Sequence, residues 1–435
     1  MVGLSQVAEH KAMTGSRRVW VTCTVVCLAL LATQKNELMG AEANRGPSPK
    51  EFALRYLGQQ IMPSGLVALN TTLGGLSGID LVDQLAPNVA RFVAISDDPG
   101  QRARPRFYTM VIDLSKFSLD ANPGFAGVHI ERVTHMRRPE GDYFNAAEDQ
   151  PDAWVDAEAI RVDRSRNRLY WSSEGFQRDA LVAPFIRAMD GNGGHQHDFA
   201  LPYYYLPTAD CSRGVRNNLA FESLALSSDG NTLVAAVENA LCQDGAPADF
   251  GQSSPVRMLF FDLNRAALIR ELVYPVDPAA AAPPMPGAYA RNGLVELLTW
   301  DERRTIALER SYTAGKGYQV RLYLADLAEA TPVTGLPTLV GAAYRPIKKA
   351  LWFDLTTLGI KLENLEGLSF GPRLANGNRS LIVIADNNFL PFEHTQILAF
   401  EIIPAAKVDQ LAPNSPNARS GKLPSRRGQR RAQPK

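Results

Sequence analysis

The sequence predicts an all-β chain folded as a β-propeller of five or six mostly four-stranded antiparallel blades. Three observations carry this. Short apolar runs alternate with Asp-Gly, Pro-Asn and Asn-Gly turn signals along the chain. No long stretch holds a helical period. Five segments also repeat one grammar at intervals of roughly 65 to 75 residues, and each has room for a hairpin plus one or two further strands, as a propeller blade does. A β-sandwich would also give many short strands, but it does not need a repeat with its own acidic signature.

In chain order, Lys11, Arg17 and Arg18 precede a mostly apolar stretch from Val19 to Ala32, and Ala41-Glu42-Ala43 fits a small-x-small cleavage site. This predicts a signal peptide over residues 1–43 and an exported protein, periplasmic or extracellular, with an uncleaved anchor as the alternative. The apolar run falls short of the roughly 20 residues of a membrane span, so no membrane contact beyond the leader is expected. The propeller domain is placed at residues 50–405. Its strand-like segment from Phe52 to Met62 could supply the outer strand of the last blade and close the ring. Removing the leader removes Cys23 and Cys27, which leaves Cys211 and Cys242 to form one disulfide in an oxidising compartment. Residues 413–435 are basic and have almost nothing apolar to bury, which predicts a disordered tail. The charges nearly cancel, 46 basic against 45 acidic. The whole molecule therefore projects no field that would select nucleic acid or acidic lipid.

The repeated grammar is a strand opening near an acidic residue, a polar turn, and a second strand closing on another. The pairs are Asp80 and Asp97, Glu158 and Glu174, Glu222 and Glu238, Glu296 and Glu309, and Glu366 and Asp386. In an antiparallel hairpin opposed residues have position numbers of constant sum, and the midpoint of each pair falls in its own turn. Each hairpin is thus expected to set two carboxylates side by side at its open end, and a ring of them would gather roughly ten at one channel mouth. Like charges so opposed destabilise a ladder, so something must neutralise them. The candidates are Ca²⁺, which takes six to eight oxygens, shared protons, or a local cation such as Arg310. Asp98, Asn239, Asn387 and Asn388 would add oxygens. A single acid of this kind is more often a solvated or corner residue.

The segments Gly75-Leu76-Ser77-Gly78-Ile79-Asp80, Ile95-Ser96-Asp97-Asp98-Pro99-Gly100, Asp156-Ala157-Glu158-Ala159-Ile160, Phe221-Glu222-Ser223-Leu224, Glu309-Arg310-Ser311-Tyr312 and Asn364-Leu365-Glu366-Gly367-Leu368 carry a resemblance to the phytase-like family, described as having esterase-like activity of phytase. The resemblance spans about residues 65 to 403. It implies an enzymatic domain similar in outline to calcium-dependent propeller phytases. By residue it points to Asp80, Asp97, Asp98, Glu158, Glu174, Glu222, Glu238, Glu296, Glu309, Glu366 and Asp386.

The leading expectation is therefore Ca²⁺-assisted hydrolysis of a small anionic, phosphorylated substrate by a monomer. The residues just named would be the metal ligands, Glu222, Glu238, Glu309 and Arg310 the catalytic set, and Arg106, Lys316 and Arg321 the substrate contacts, with Arg102 and Arg104 as further candidates. Two rival classes are a non-catalytic, calcium-stabilised binding propeller and a calcium-dependent lactonase or carboxylic esterase. Three weaker signals are read as structural. Gly367-Leu368-Ser369-Phe370-Gly371 fits G-x-S-x-G but lies in a predicted strand rather than a strand-to-helix elbow. His195 and His197 sit in a polar loop, and Tyr203-Tyr204-Tyr205 is read as strand packing.

Overall fold

The computed structural model describes residues 51–144, 154–177 and 181–404. The predicted leader and basic tail lie outside them. Five four-stranded antiparallel sheets follow one another as the blades of a propeller. Blade 1 is Leu76–Ala86, Val89–Ser96, Arg106–Asp113 and Val128–His135. Blade 2 is Ala157–Asp163, Arg168–Ser173, Phe185–Met189 and His195–Asp198. Blade 3 is Ser223–Leu226, Thr232–Ala236, Ser254–Asp262 and Ala267–Val276. Blade 4 is Ala290–Thr299, Arg304–Thr313, Gly317–Asp326 and Lys348–Asp354. Blade 5 takes three strands from the C-terminal side, Asn364–Phe370, Arg379–Asp386 and His394–Pro404, and its outer strand from Phe52–Pro63.

That last pairing runs from Phe52 against Pro404 to Pro63 against His394, with one bulge beside Gly58. The ring thus closes by hydrogen bonds between the two ends of the domain, which removes the edge that an open array would leave. The count is five blades, with no sixth sheet of this size among the described residues.

Inner strands read as continuous apolar runs because both of their faces are buried. Successive side chains point to opposite faces, and here each face meets a different neighbour. Phe92 and Ala94 pack with Ile382 and Ile384 of blade 5, while Val93 and Ile95 pack with Ala157, Ile160 and Trp171 of blade 2. The same division recurs between blades 4 and 5, where Ile306 and Leu308 meet Leu381 and Val383.

One buried ion pair ties the inner strands across the axis. Arg161, 2% exposed, meets Glu296, 1% exposed, at 2.6 Å. Its guanidinium also donates to the carbonyls of Ile79, Ile160, Leu297 and Leu368. Glu296 accepts from Leu224 N and Leu297 N. Blades 1, 2, 4 and 5 are thereby joined through the arginine, and blade 3 through the glutamate.

Cys211 and Cys242 form the disulfide, with Cα atoms 5.4 Å apart. Replacing either by Ser is expected to cost about 2 to 4 kcal/mol, and chemical denaturation with and without reductant measures it. Tyr203–Tyr205 is a short 3₁₀ turn rather than a strand. The Tyr204 and Tyr205 hydroxyls donate to Glu271 at 2.6 and 2.5 Å, a polar requirement that an aromatic run does not reveal in sequence.

Candidate metal centre

Bulges decide which side chains reach the mouth. Four of the five inner hairpins carry one at the end away from their turn, between Leu76 and Gly78, Ala157 and Ile160, Leu294 and Glu296, and Leu365 and Gly367. An inserted residue shifts the opposition by one and re-aims the side chains beyond it. The expected opposed pairs are therefore displaced. Asp80 faces Val93, Glu296 faces Leu308, Glu309 faces Leu294, and Asp386 faces Asn364.

Seven of the eleven acids singled out in sequence still converge. Asp97 comes from blade 1, Glu158 and Glu174 from blade 2, Glu222 and Glu238 from blade 3, and Glu366 and Asp386 from blade 5. Their charges act on one another: Asp97 feels Asp156, Asp386 and Glu366, Glu158 feels Glu222, Asp97 and Glu174, and Glu238 feels Glu366. Asp156, which precedes the first strand of blade 2, joins them and was not picked out as a ligand. Its only sequence signal is its place directly before Ala157-Glu158. Blade 4 contributes a cation instead: Arg310 lies 2.9 Å from Glu366 and 3.8 Å from Glu238.

The other four acids are used elsewhere. Asp80 accepts from Val162 N and from Ser369 Oγ. This accounts for Ser369 too, a buried strand residue whose Oγ accepts from Leu81 N. Asp98 accepts from the backbone N–H groups of Gly100, Gln101, Arg102 and Ala103. Glu296 belongs to the axial pair. Glu309 turns between blades 3 and 4, where it meets Lys349, the Tyr274 hydroxyl and the Asn292 amide.

The expected substrate contacts are likewise redistributed. Arg106 is fully buried and bound to Asp98 at 2.7 Å, Tyr108 and the Thr72 carbonyl, so it cannot meet a ligand. Arg321 pairs with Asp354 at 2.9 Å. Lys316 is exposed on the turn after Thr313 and lines a separate depression with Tyr312, Tyr318 and Phe392. Arg102 lines a cavity of about 290 Å³ with Asp97, Asp98, Asp156, Trp154 and Phe389.

Burial in company makes these carboxyls poor acids. Desolvation, then the like charges of their neighbours, hold Asp97, Glu158, Glu174, Glu222 and Asp386 well above the ordinary carboxyl range. Burial raises Glu238 to about 7 against the pull of Arg310. Burial works against the charge of Arg310, yet Glu366, Glu238 and Glu222 keep its pKa above the usual value.

Two sets of oxygens lie close enough to share a cation. Ligand atoms of Asp97, Asp156 and Glu158, and those of Glu158, Glu174 and Glu222, fall within 4.8 Å of one another. The donors are hard oxygens without sulfur or imidazole, the chemistry that suits Ca²⁺. Asp97 Oδ1 and Asn364 Oδ1 are buried with no hydrogen-bond partner among the described residues, and acceptors left so are rare. The residues present therefore fit a calcium ion.

Gly293 packs against this cluster, and a Cβ there would overlap the Glu238 carboxylate. Gly293→Ala is expected to displace Glu238 at a stability cost of about 1 to 3 kcal/mol, and to shrink any calcium-induced rise in melting temperature. A calcium response equal to wild type would show that Glu238 takes no part.

No curated protein matches the sequence. Among solved structures, the chain is similar to the Dos1 propeller at 7% identity, over 75% of this chain and 68% of that one, with a TM-score of 0.32. It is similar to the catalytic domain of the Coprinopsis cinerea GH62 alpha-L-arabinofuranosidase at 8% identity, over 81% and 98%, with a TM-score of 0.40. It is also similar to CoXyl43, a GH43 beta-xylosidase/alpha-arabinofuranosidase from a compost microbial metagenome, at 10% identity, over 78% and 94%, with a TM-score of 0.37. Residues 71–389 match the family described as Phytase-like, esterase-like activity of phytase, and the chain accordingly belongs to the phytase-like family.

Proposed function

We propose that the protein is an exported, calcium-dependent hydrolase of small phosphate esters, acting at the acidic cup. The observation that carries this is the convergence of eight carboxylates and one arginine from all five blades. A structural role needs no such concentration, and each charge costs free energy to bury. Asp97, Asp156, Glu158, Glu174 and Glu222 would hold the metal. Calcium bound there would offset the negative charge, polarise a phosphoryl oxygen and acidify a bound water.

The chain's own groups supply the rest. Glu238, whose carboxyl burial raises to about 7 before any metal is bound, can take or return a proton. Arg310 holds Glu366 and Glu238 in place. Arg102, whose guanidinium lies over the Phe389 ring at 5.3 Å, is placed at the cavity to meet an anionic group. Export is supported by the disulfide, which persists in oxidising compartments, and among the described residues no helix is long and apolar enough to cross a membrane.

The test is to strip the purified protein with a chelator and assay phosphomonoesters, phosphodiesters and carboxyl esters with and without added Ca²⁺. Phosphate release restored by calcium is the expected result. Calcium-dependent melting with no turnover would replace this reading by a binding propeller, and cleavage of carboxyl esters alone by a lactonase or esterase.

A further inference from the structure

We propose that the cavity beside the acidic cup takes one uncharged aromatic ring, so that the substrate is the phosphate monoester of an aromatic alcohol. The inference rests on the cup's being a phosphate-ester site. Asp97 and Asp156, two of the carboxylates that would hold the metal, form part of the cavity wall. A phosphoryl group held at the cup therefore has this space beside it for the rest of the ester. The volume, about 290 Å³, is at the lower end for ligand pockets and suits a single ring rather than a long chain.

Three aromatic side chains line the cavity. Trp154 precedes the first strand of blade 2, Phe176 follows the second, and their ring centroids lie 4.4 Å apart. Phe389 comes from the turn after the second strand of blade 5. Blade 1 stands between blades 5 and 2 in the ring, so Phe389 and the Trp154–Phe176 pair flank its loop from Asp97 to Arg102, which lines the same cavity. All three rings stay half-buried at a rim of carboxylates and amides, whereas Phe92, Trp171 and Phe221 lie in the core.

The repeat contains its own control. The place of Phe176, two residues after the second acid of its pair, is held by Pro99, Ala240, Ser311 and Asn388 in the other blades. The place of Trp154, four residues ahead of the first acid, is held by Leu76, Asn218, Asn292 and Leu362. The aromatic pair is thus particular to blade 2 and is not forced by blade geometry.

The chain also accepts strain to keep the third ring in place. Phe389 is left-handed, with φ of 52°, a conformation that a bulky side chain rarely adopts. Its N–H donates to Asn387 Oδ1, which also accepts from Gly75 N, each at 3.1 Å. The Asn387 oxygen that the sequence offered to calcium is therefore occupied by this turn. A Cβ on Gly74 or Gly75 would overlap the Phe389 ring, so the two glycines make room for it.

The charges on the wall set what the ring can carry. Arg102 is the one cation lining the cavity among the described residues, and its guanidinium lies over the Phe389 ring. The phosphoryl group itself uses Arg102. A second anionic group in the cavity would then face Asp97 and Asp156 with no further cation of the chain to answer it. An uncharged ring meets no such repulsion and gains from the aromatic faces. An alcohol bearing several phosphates is thereby disfavoured.

Calorimetry with two non-hydrolysable probes tests this in the presence of calcium. The wild type is expected to bind benzylphosphonate about 10-fold tighter than propylphosphonate. A benzylphosphonate with a second phosphonomethyl group on its ring should bind about 10-fold weaker than benzylphosphonate itself. Trp154→Ala and Phe389→Asn each remove one aromatic wall, and Asn tolerates the left-handed backbone, which keeps the turn. Either is expected to bring the benzyl-to-propyl ratio to about 1, and Trp154→Phe to restore most of it. A purely structural defect would weaken both probes alike and leave the ratio as it was. A wild type without the preference, a ratio unchanged in both variants, or a doubly charged probe that binds as tightly as benzylphosphonate overturns the assignment. Turnover is read separately with benzyl phosphate and propyl phosphate. Cleavage of both at equal kcat/KM keeps the hydrolase and sinks the ring pocket. The binding preference without cleavage of either ester keeps the ring pocket and sinks the hydrolase, and if neither probe binds, both fall.

Discussion

Arg161→Met is expected to destabilise the protein by about 3 to 5 kcal/mol, the usual cost of removing one partner from a buried ion pair. The substitution keeps most of the side chain's volume and removes its charge and donors. Glu296 is then left in the interior, where burial already pushes its pKa to about 8 with Arg161 present. The carbonyls of Ile79, Leu297 and Leu368 lose a donor as well. Because these groups belong to blades 1, 4 and 5, the loss weakens the axis around which the blades are arranged, and not one hairpin alone. Combining Arg161→Met with Glu296→Gln should recover part of the loss. Gln carries no charge to strand, and its carbonyl can still accept from Leu224 N and Leu297 N. Urea denaturation of the wild type, the single variants and the double variant closes the cycle. A single variant within about 1 kcal/mol of wild type would mean that the pair does not brace the axis.

That pair also marks where sequence reading stops. Arg161 stands in Ala159-Ile160-Arg161-Val162 as a lone charge in an apolar run, and its partner lies two blades further on. Nothing local separates it from a surface arginine. The fold, by contrast, was legible, because double-sided burial writes itself as short apolar runs and radial repetition writes itself as a period. Closure by the segment starting at Phe52 was legible for the same reason: five hairpin-based units left one strand short. The site was legible to the level of residue type and blade, and misread at the level of register. A constant-sum rule assumes a regular ladder, and bulges at four mouths break it. Glu309 and Arg310 show the consequence, since neighbours in a strand face opposite ways. The carboxylate of Glu309 turns to Lys349 between the blades, and the guanidinium of Arg310 takes the place in the cup. Asp156 escaped because it lies just outside the ladder, where no pairing rule applies.

In the presence of chelator, stability is expected to fall as pH rises from about 4.5 through 7, the reverse of ordinary acid denaturation. The carboxyls of the cup have folded-state pKa values raised above their unfolded ones, so the folded protein binds more protons than the unfolded chain. Stability contributed by such a group is fully present below its unfolded pKa and is lost as pH rises through its folded pKa. For Glu238 the window runs from the ordinary 4.5 to about 7, and this group alone accounts for about 3 kcal/mol. Its neighbours extend the fall in the same direction. Calcium should invert the profile, because ligands must be deprotonated to bind a metal and binding to the folded state adds stability by mass action. Added Ca²⁺ should therefore raise the melting temperature little near pH 4.5 and most near pH 8, where the unrelieved repulsion is greatest. Melting curves across that range, with chelator and with calcium, measure both arms. A chelated protein that gains stability toward neutrality would show that the carboxylates are already neutralised by the chain itself. A calcium shift of equal size at every pH would place the ion away from the cup.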